Sequence, residues 1–180
     1  MKLNDIFGDD WLIDKPKRKV VERRPPDSKP ITIDLYRGFV LDLDKAQRED
    51  GKIVLSPKKS EQGLMWFTHK YVSVNVAGGG SSPDYIEYAI SSAKKHDQGD
   101  QYLLTYPLKC IKHFQTKVYD DGSTYDVIPD EILDKTIPTE NCRFHMGIEL
   151  PQGWVFTYKY EKFIGCGIDI LIDESMLTKL

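Results

Sequence analysis

Apolar and polar residues alternate in several short runs along this chain, and this spacing predicts β-strands. The run ITIDLYRGFVL (31–41) alternates, LMWFT (64–68) is of the buried-strand type, and QYLLTYPLKCI (101–111) is β-rich. Two closing strands are expected in GWVFTYKYEKFIGC (153–166) and IDILID (168–173). Asp-Gly dipeptides at 50–51 and 121–122 are typical of tight turns, the second within a hairpin.

Helical spacing is found in fewer places. In DYIEYAISSAKKH (84–96) apolar residues recur three and four apart, and Asp84 is a candidate N-cap. A shorter helix is expected in IPDEILDKT (128–136), with Pro129 near its start. The glycine-rich stretch AGGGSSPD (77–84) predicts a loop. Many short strands with one or two modest helices, and no regular strand–helix alternation, predict an α+β fold.

The first thirty residues have a different composition. Leu3, Ile6 and Phe7 could belong to a short amphipathic helix or docking peptide, and KPKRKVVERRPPDSKP follows, with six basic residues from Lys15 to Arg24. Basic, proline-rich stretches resist packing. We therefore expect residues 1–30 to be a flexible N-terminal tail or linker and residues 31–180 to form one domain.

The size, charge and cysteine content of the chain argue against several classes of protein but do not indicate a particular reaction. A chain of 180 residues can bury one sizeable core. The net charge of −3 gives no general reason to expect nucleic-acid binding, and the three cysteines argue against a disulfide framework or a zinc site. The acidic N-terminus is unlike a secretory signal, and no apolar run has the length of a membrane helix. We expect a cytoplasmic protein that needs no metal and has no membrane partner.

Three polar residues lie within or at the ends of the strand runs: Arg37 in LYRG, Thr68 in WFTHK and Glu161 in YKYEKFIG. Each has an ordinary interpretation, since charged residues are mostly exposed and threonine is common in strands. Glu161 lies between Lys159 and Lys162, so an ion pair would also account for it. What makes the three residues a candidate site is their order along the chain.

In that order the sequence resembles the ADP-ribosyltransferase-like family of the arginine–serine–glutamate type. The resemblance rests on LYRG (35–38), GLMWFTHKY (63–71), YIEYA (85–89), YLLTYPL (102–108) and YEKFIGCGIDILI (160–172), and it covers roughly residues 31–173. It implies a split β-sheet core with a few short helices.

The resemblance implies an enzyme of the glycosyltransferase class that uses NAD as co-substrate and splits its nicotinamide–ribose bond. Glu161 would be the catalytic carboxylate, which supports the oxocarbenium-like transition state at the ribose, as in glycoside hydrolysis. Arg37 would bind the pyrophosphate or the adenosine-side ribose, a task that suits its planar, permanently charged group. Thr68 stands in place of the family's serine and would orient Glu161.

Further cofactor-binding residues follow from the same resemblance. Gly38 would let the backbone approach NAD, and Tyr71 or Trp66 would stack on the nicotinamide. His69 follows Thr68 at a position where the family often has a second serine.

Two departures affect the expected acceptor. Lys159 stands where transferases that modify arginine carry a Glu or Gln, which argues against protein arginine as the acceptor. The related RNA 2′-phosphotransferases place basic residues around their site, and His113, His145, Arg143 and Lys112 are the candidates here.

The acceptor class stays open between protein and nucleic acid, and a toxin, an effector or a phage-encoded modifier acting in host cytoplasm would fit. The alternative is a non-catalytic interaction module on the same fold. It would use the N-terminal tail to dock a partner.

Overall fold

A computed structural model describes residues 18–59, 62–69, 85–96, 98–135, 141–157 and 163–180. In these ranges the chain is mostly β-sheet with two helices, which confirms the coarse α+β prediction. The strands are β1 (Val20–Arg23), β2 (Asp27–Val40), β3 (Arg48–Glu49), β4 (Lys52–Leu55), β5 (Met65–His69), β6 (Gln101–Tyr119), β7 (Thr124–Val127), β8 (Phe144–His145), β9 (Ile148–Glu149), β10 (Trp154–Phe156), β11 (Phe163–Cys166), β12 (Ile170–Ile172) and β13 (Leu177–Lys179). The helices are α1 (Tyr85–Lys94) and α2 (Asp130–Lys135).

Strand β6 organises the larger sheet. The order across this sheet is β10-β11-β5-β2-β6-β9-β8, and β1, β7 and β13 also pair with β6. The pairing with β2 runs antiparallel without a break from Val40–Gln101 to Asp27–Phe114. A second sheet, with the order β12-β4-β3, carries Ile53 and Ile172 into the same hydrophobic core.

Side-chain alternation explains which face of the larger sheet is buried. On β2, Ile33 and Leu35 are almost fully buried, and on β6 Leu104 and Leu108 continue the same core face. The opposite face of β2 receives helix α1, which packs on β2, β5 and β6. Helix α1 buries Ala89 and Ala93, as its apolar spacing predicts.

The short turns follow the sequence prediction closely. Asp50 and Gly51 both have positive φ angles between β3 and β4. Gly122 has a φ of 81° in the turn between β6 and β7. Positive φ at these positions is what the Asp-Gly dipeptide favours.

Two predictions about segment boundaries differ from the structure. Residues 18–30 were expected in the tail, but β1 pairs with the end of β6, and β2 already begins at Asp27. Main-chain pairing with the long β6 accommodates this basic, proline-containing stretch: Pro25 and Pro26 fall between the two strands, and Pro30 lies within β2 opposite Ile111. The run 153–166, expected as one strand, contains β10 and β11, which pair antiparallel.

Residues 1–17, the candidate N-cap Asp84 and the loop 77–84 lie outside the described residues. No helix in the described part of the chain is long and apolar enough to cross a membrane.

Candidate functional site

A cavity of about 370 Å³ lies between helix α1 and the sheet formed by β2, β5 and β11. Strands supply one side and the helix supplies the other. Its lining residues are Tyr36, Arg37 and Gly38 of β2, Trp66 and Thr68 of β5, Tyr88, Ala89 and Ser92 of α1, and Phe163 of β11.

Arg37 lies where the pairing between β2 and β5 ends. The ladder between these strands consists of the pairs Leu35–His69 and Tyr36–Thr68. Beyond these two pairs, a side chain replaces the backbone pairing: Nη1 of the Arg37 guanidinium donates a hydrogen bond to the Trp66 carbonyl oxygen at 3.0 Å. The guanidinium carbon also lies 6.0 Å from the centre of the Phe67 ring. Alternation along β2 places the half-buried Arg37 side chain on the same face as Leu35, opposite Tyr36 and Gly38, although Arg37 also lines the cavity at the end of the β2–β5 ladder.

Thr68 connects helix α1 to the two strands. Its side chain is buried, and the Oγ1 hydroxyl lies 2.6 Å from the Tyr85 carbonyl oxygen and 3.3 Å from the Tyr36 carbonyl oxygen. A hydroxyl has one proton, so the shorter contact makes Tyr85 its main acceptor. In this arrangement Thr68 anchors the first turn of α1, and its oxygen can still accept a hydrogen bond from a ligand.

Gly38 has a different role from the one expected. A Cβ at this position would lie 1.7 Å from the Ala89 carbonyl oxygen, so the helix occupies the space that a side chain would need. Although Gly38 lines the cavity, its missing side chain is explained by the close packing of α1 rather than by the approach of a ligand.

Aromatic rings form much of the cavity wall. The rings of Trp66 and Phe163 are 6.4 Å apart, and those of Tyr88 and Phe163 are 5.4 Å apart, both pairs in edge-to-face arrangement. Sequence reasoning identified Trp66 but missed Tyr88, Ser92 and Phe163. The helical spacing contained this information, because Tyr88 and Ser92 are four residues apart and therefore lie on one side of α1, next to the buried Ala89.

His69 does not line this cavity. It follows Thr68 on β5, and successive side chains of a strand point to opposite faces, so His69 lies in the core with Phe67. Its ring lies 6.3 Å from that of Phe156. Burial, with a smaller contribution from the charge of His145, lowers the pKa of His69 to about 4. The structure therefore separates His69 from the predicted cofactor contacts.

The remaining predicted residues fall in two groups. Glu161 and Tyr71 lie outside the described residues. The basic residues named for a phosphotransferase site do not line the cavity beside α1. His113 and Arg143 both contact the Glu149 carboxylate, at 2.8 and 3.2 Å, while Lys112 and His145 line another cavity.

Comparison with known proteins adds no relative: no family model, curated protein or solved structure matches the chain.

Proposed function

We propose that this chain is an NAD-consuming enzyme, an ADP-ribosyltransferase or NAD glycohydrolase, with an ADP-ribosyltransferase-like split-sheet core. The observation that carries the proposal is that Arg37, Gly38, Trp66 and Thr68 line one cavity although they come from two different strands. The family resemblance in the sequence had implied that these four residues, together with His69, Tyr71 and Glu161, contact one ligand.

The neighbouring strands support the same assignment. Strand β5 pairs with β2 on one side and with β11 on the other, and Phe163, the first residue of β11, pairs with Thr68 and lines the cavity. Glu161 precedes Phe163 by two positions in the sequence. The proposal assigns to Glu161 the catalytic carboxylate.

The chemistry assigns a distinct task to each group. The bond between ribose C1′ and the nicotinamide nitrogen breaks, and its electron pair leaves with the nicotinamide, which becomes neutral. Water or an acceptor nucleophile bonds to C1′ and loses a proton. The Glu161 carboxylate stabilises the positive charge that builds on the ribose, and Arg37 binds the pyrophosphate. For Thr68 to orient Glu161, its hydroxyl has to turn from Tyr85 towards the carboxylate.

The size and lining of the cavity suit one nucleotide half of NAD. Small-molecule sites usually have volumes of about 300–1,000 Å³ and are lined mainly by apolar and aromatic groups. This cavity lies at the low end of that range, at about 370 Å³. Trp66 and Phe163 offer ring faces and edges for the nicotinamide. For Arg37 to supply the charge for the phosphates, its guanidinium has to turn from the Trp66 carbonyl oxygen towards the cavity.

The test is nicotinamide release from NAD by the full-length protein. Loss of the transition-state contact in Glu161→Gln should lower the rate on the order of 10²-fold or more. Glu87→Gln, on the exposed side of α1, is the matched control and should keep the wild-type rate. Wild-type activity in Glu161→Gln would rule out the assignment.

A second candidate is an interaction module that binds a ligand in the same cavity without turnover, with the N-terminal segment docking a partner. The hydrogen bond from Thr68 to Tyr85 favours it, because the hydroxyl proton is already engaged in structure. Binding without release of nicotinamide would distinguish the two candidates. NAD would then raise the melting temperature by mass action while no nicotinamide appears.

A further inference from the structure

A second cavity, of about 330 Å³, lies on the opposite face of the β2–β6 ladder from the α1 cavity. Lys29 and Ile31 line it, and side-chain alternation along β2 places them on the same face as Ile33 and Leu35. Tyr36 and Gly38, which line the first cavity, point to the other face. A ligand site in this cavity does not depend on the function proposed above.

The strand register brings three basic residues into one row across four strands. Lys29 of β2 pairs with Lys112 of β6, Lys112 pairs with Ile148 of β9, and Ile148 pairs with His145 of β8. Neighbouring strands are about 4.8 Å apart, so the row concentrates basic groups over a short distance. All of these residues line the second cavity.

Lys29 and Lys112 are both exposed, and like charges directly opposite each other destabilise a sheet, so an anion bound between them would relieve their repulsion. No carboxylate among the described residues forms an ion pair with either lysine. The nearby Glu149 contacts His113 and Arg143 instead. The ammonium group of Lys29 lies 5.5 Å from the Phe114 ring centre, which positions the side chain without neutralising its charge.

The rest of the cavity is apolar. Ile31, Ile148 and Phe156 contribute aliphatic and aromatic surface, and Met146 lines the cavity while 61% exposed. Met146 is held at this place by the β8–β9 turn, in which Met146 and Gly147 both have positive φ angles. Two ammonium groups beside an apolar surface match a ligand that carries a dianion at one end and an apolar group at the other.

We propose that this second cavity binds a phosphomonoester with an apolar or aromatic group. The phosphate would lie between Lys29 and Lys112, because a dianion neutralises both ammonium groups and accepts several charge-assisted hydrogen bonds. The organic group would rest on Ile148 and Phe156, with His145 at the far end of the row.

The experiment uses the full-length chain with ¹³C-labelled methionine methyl groups and phenyl phosphate as the probe. The Met146 methyl signal, identified by its loss in Met146→Leu, should shift saturably, while the signal of the buried Met65 should stay in place. Phenol lacks the phosphate and should bind at least about tenfold more weakly, since the charge-assisted contacts are lost. Inorganic phosphate tests whether the anion alone is enough for binding. We expect it to bind more weakly than phenyl phosphate, because it lacks the aromatic group.

The double variant Lys29→Gln/Lys112→Gln should weaken phenyl phosphate binding at least about tenfold. The matched control is Lys109→Gln/Lys117→Gln, which removes two charges from the other face of the same strand, β6, and should keep the wild-type affinity. If both double variants bound phenyl phosphate equally weakly, the loss of affinity would follow from the net charge of the protein and not from the two lysines at the cavity. That result would overturn the proposal. So would phenol binding as tightly as phenyl phosphate, or a Met146 signal that does not respond.

Discussion

Gly38 of β2 and Ala89 of α1 are in contact so close that a Cβ at position 38 would lie 1.7 Å from the Ala89 carbonyl oxygen. It would also lie 3.0 Å from the Ala93 backbone nitrogen. The glycine therefore sets the distance between the helix and the sheet. Since both elements line the first cavity, this contact also sets the depth of the candidate site.

The first prediction concerns this contact. In Gly38→Ala the helix has to move away from the sheet, because the group that the new methyl meets is backbone and cannot rotate aside. We expect the free energy of unfolding, measured by urea denaturation, to fall by about 1–3 kcal/mol or more, as for other overpacked sites. Gly167→Ala is the control, since its nearest neighbour is the end of the Leu64 side chain at 3.3 Å, and it should cost less. Equal stability of Gly38→Ala and the wild type would contradict this account.

Local patterns predicted the elements of the fold well because they depend on near neighbours in the sequence. The Asp50–Gly51 turn, helix α1 and strand β5 lie where turn chemistry and periodicity indicate. A hairpin strand before the Asp121–Gly122 turn was expected, but the continuity of β6 from Gln101 to Tyr119 and the pairing of β1 with its end were not predicted. These features depend on contacts between segments about 100 residues apart. The local composition of the basic, proline-rich stretch predicts an unpaired tail instead.

The candidate site was predicted in part for the same reason. Arg37 and Thr68 lie on strands that the pattern identified, and both line one cavity because the β2–β5 ladder ends at the pair Tyr36–Thr68, next to Arg37. His69 was assigned to the site from its place beside Thr68, although the alternation of strand side chains already separates the two. The helical spacing places Tyr88 and Ser92 on one side of α1, but no local pattern shows which strands that side faces, so the helix side of the cavity was missed.

The second prediction uses two adjacent serines of α1. Ser92 is half-buried and lines the cavity, whereas Ser91 is exposed and does not line it. Ser92→Phe should fill the cavity and weaken NAD binding at least about tenfold, since the ring displaces the ligand from a site of small volume. The measurement is the concentration of NAD that raises the melting temperature.

Ser91→Phe is the matched control and should respond to NAD as the wild type does. Should both phenylalanine variants retain the wild-type response, NAD does not bind beside α1. A loss in both variants would point to damage to the helix instead of a blocked cavity.

The third prediction concerns the Thr68 hydroxyl. Thr68→Val keeps the shape of the side chain but removes the donor that reaches the Tyr85 and Tyr36 carbonyl oxygens. Loss of a part-buried hydrogen bond of this kind should lower the free energy of unfolding by about 1–2 kcal/mol. Thr68→Ser restores the hydroxyl and should recover most of that stability in the same denaturation experiment. If Thr68→Val were as stable as the wild type, the anchoring of α1 by Thr68 would be disproved.

His69 provides the fourth prediction, through the pH dependence of stability. Neither ring nitrogen has a hydrogen-bond partner in the described structure, and the side chain is 2% exposed. Burial first, and then the nearby His145, lower the pKa of His69 from 6.5 to about 4. Between these values the unfolded chain binds a proton that the folded chain does not. The stability contributed by neutral His69 is therefore complete above pH 6.5 and is lost as the pH falls towards 4.

Over this whole window the loss from His69 should be roughly 3 kcal/mol, from the difference between the two pKa values. Other groups titrate in the same range, so the informative quantity is the difference between variants in urea denaturation from pH 7.5 to pH 4.5. His69→Phe keeps an aromatic ring beside Phe156 and should flatten the pH dependence of the unfolding free energy. His96→Gln, at an exposed position, should leave the wild-type dependence in place. If His69→Phe loses as much stability on acidification as the wild type, a group other than His69 causes the dependence, since a phenyl ring cannot bind a proton.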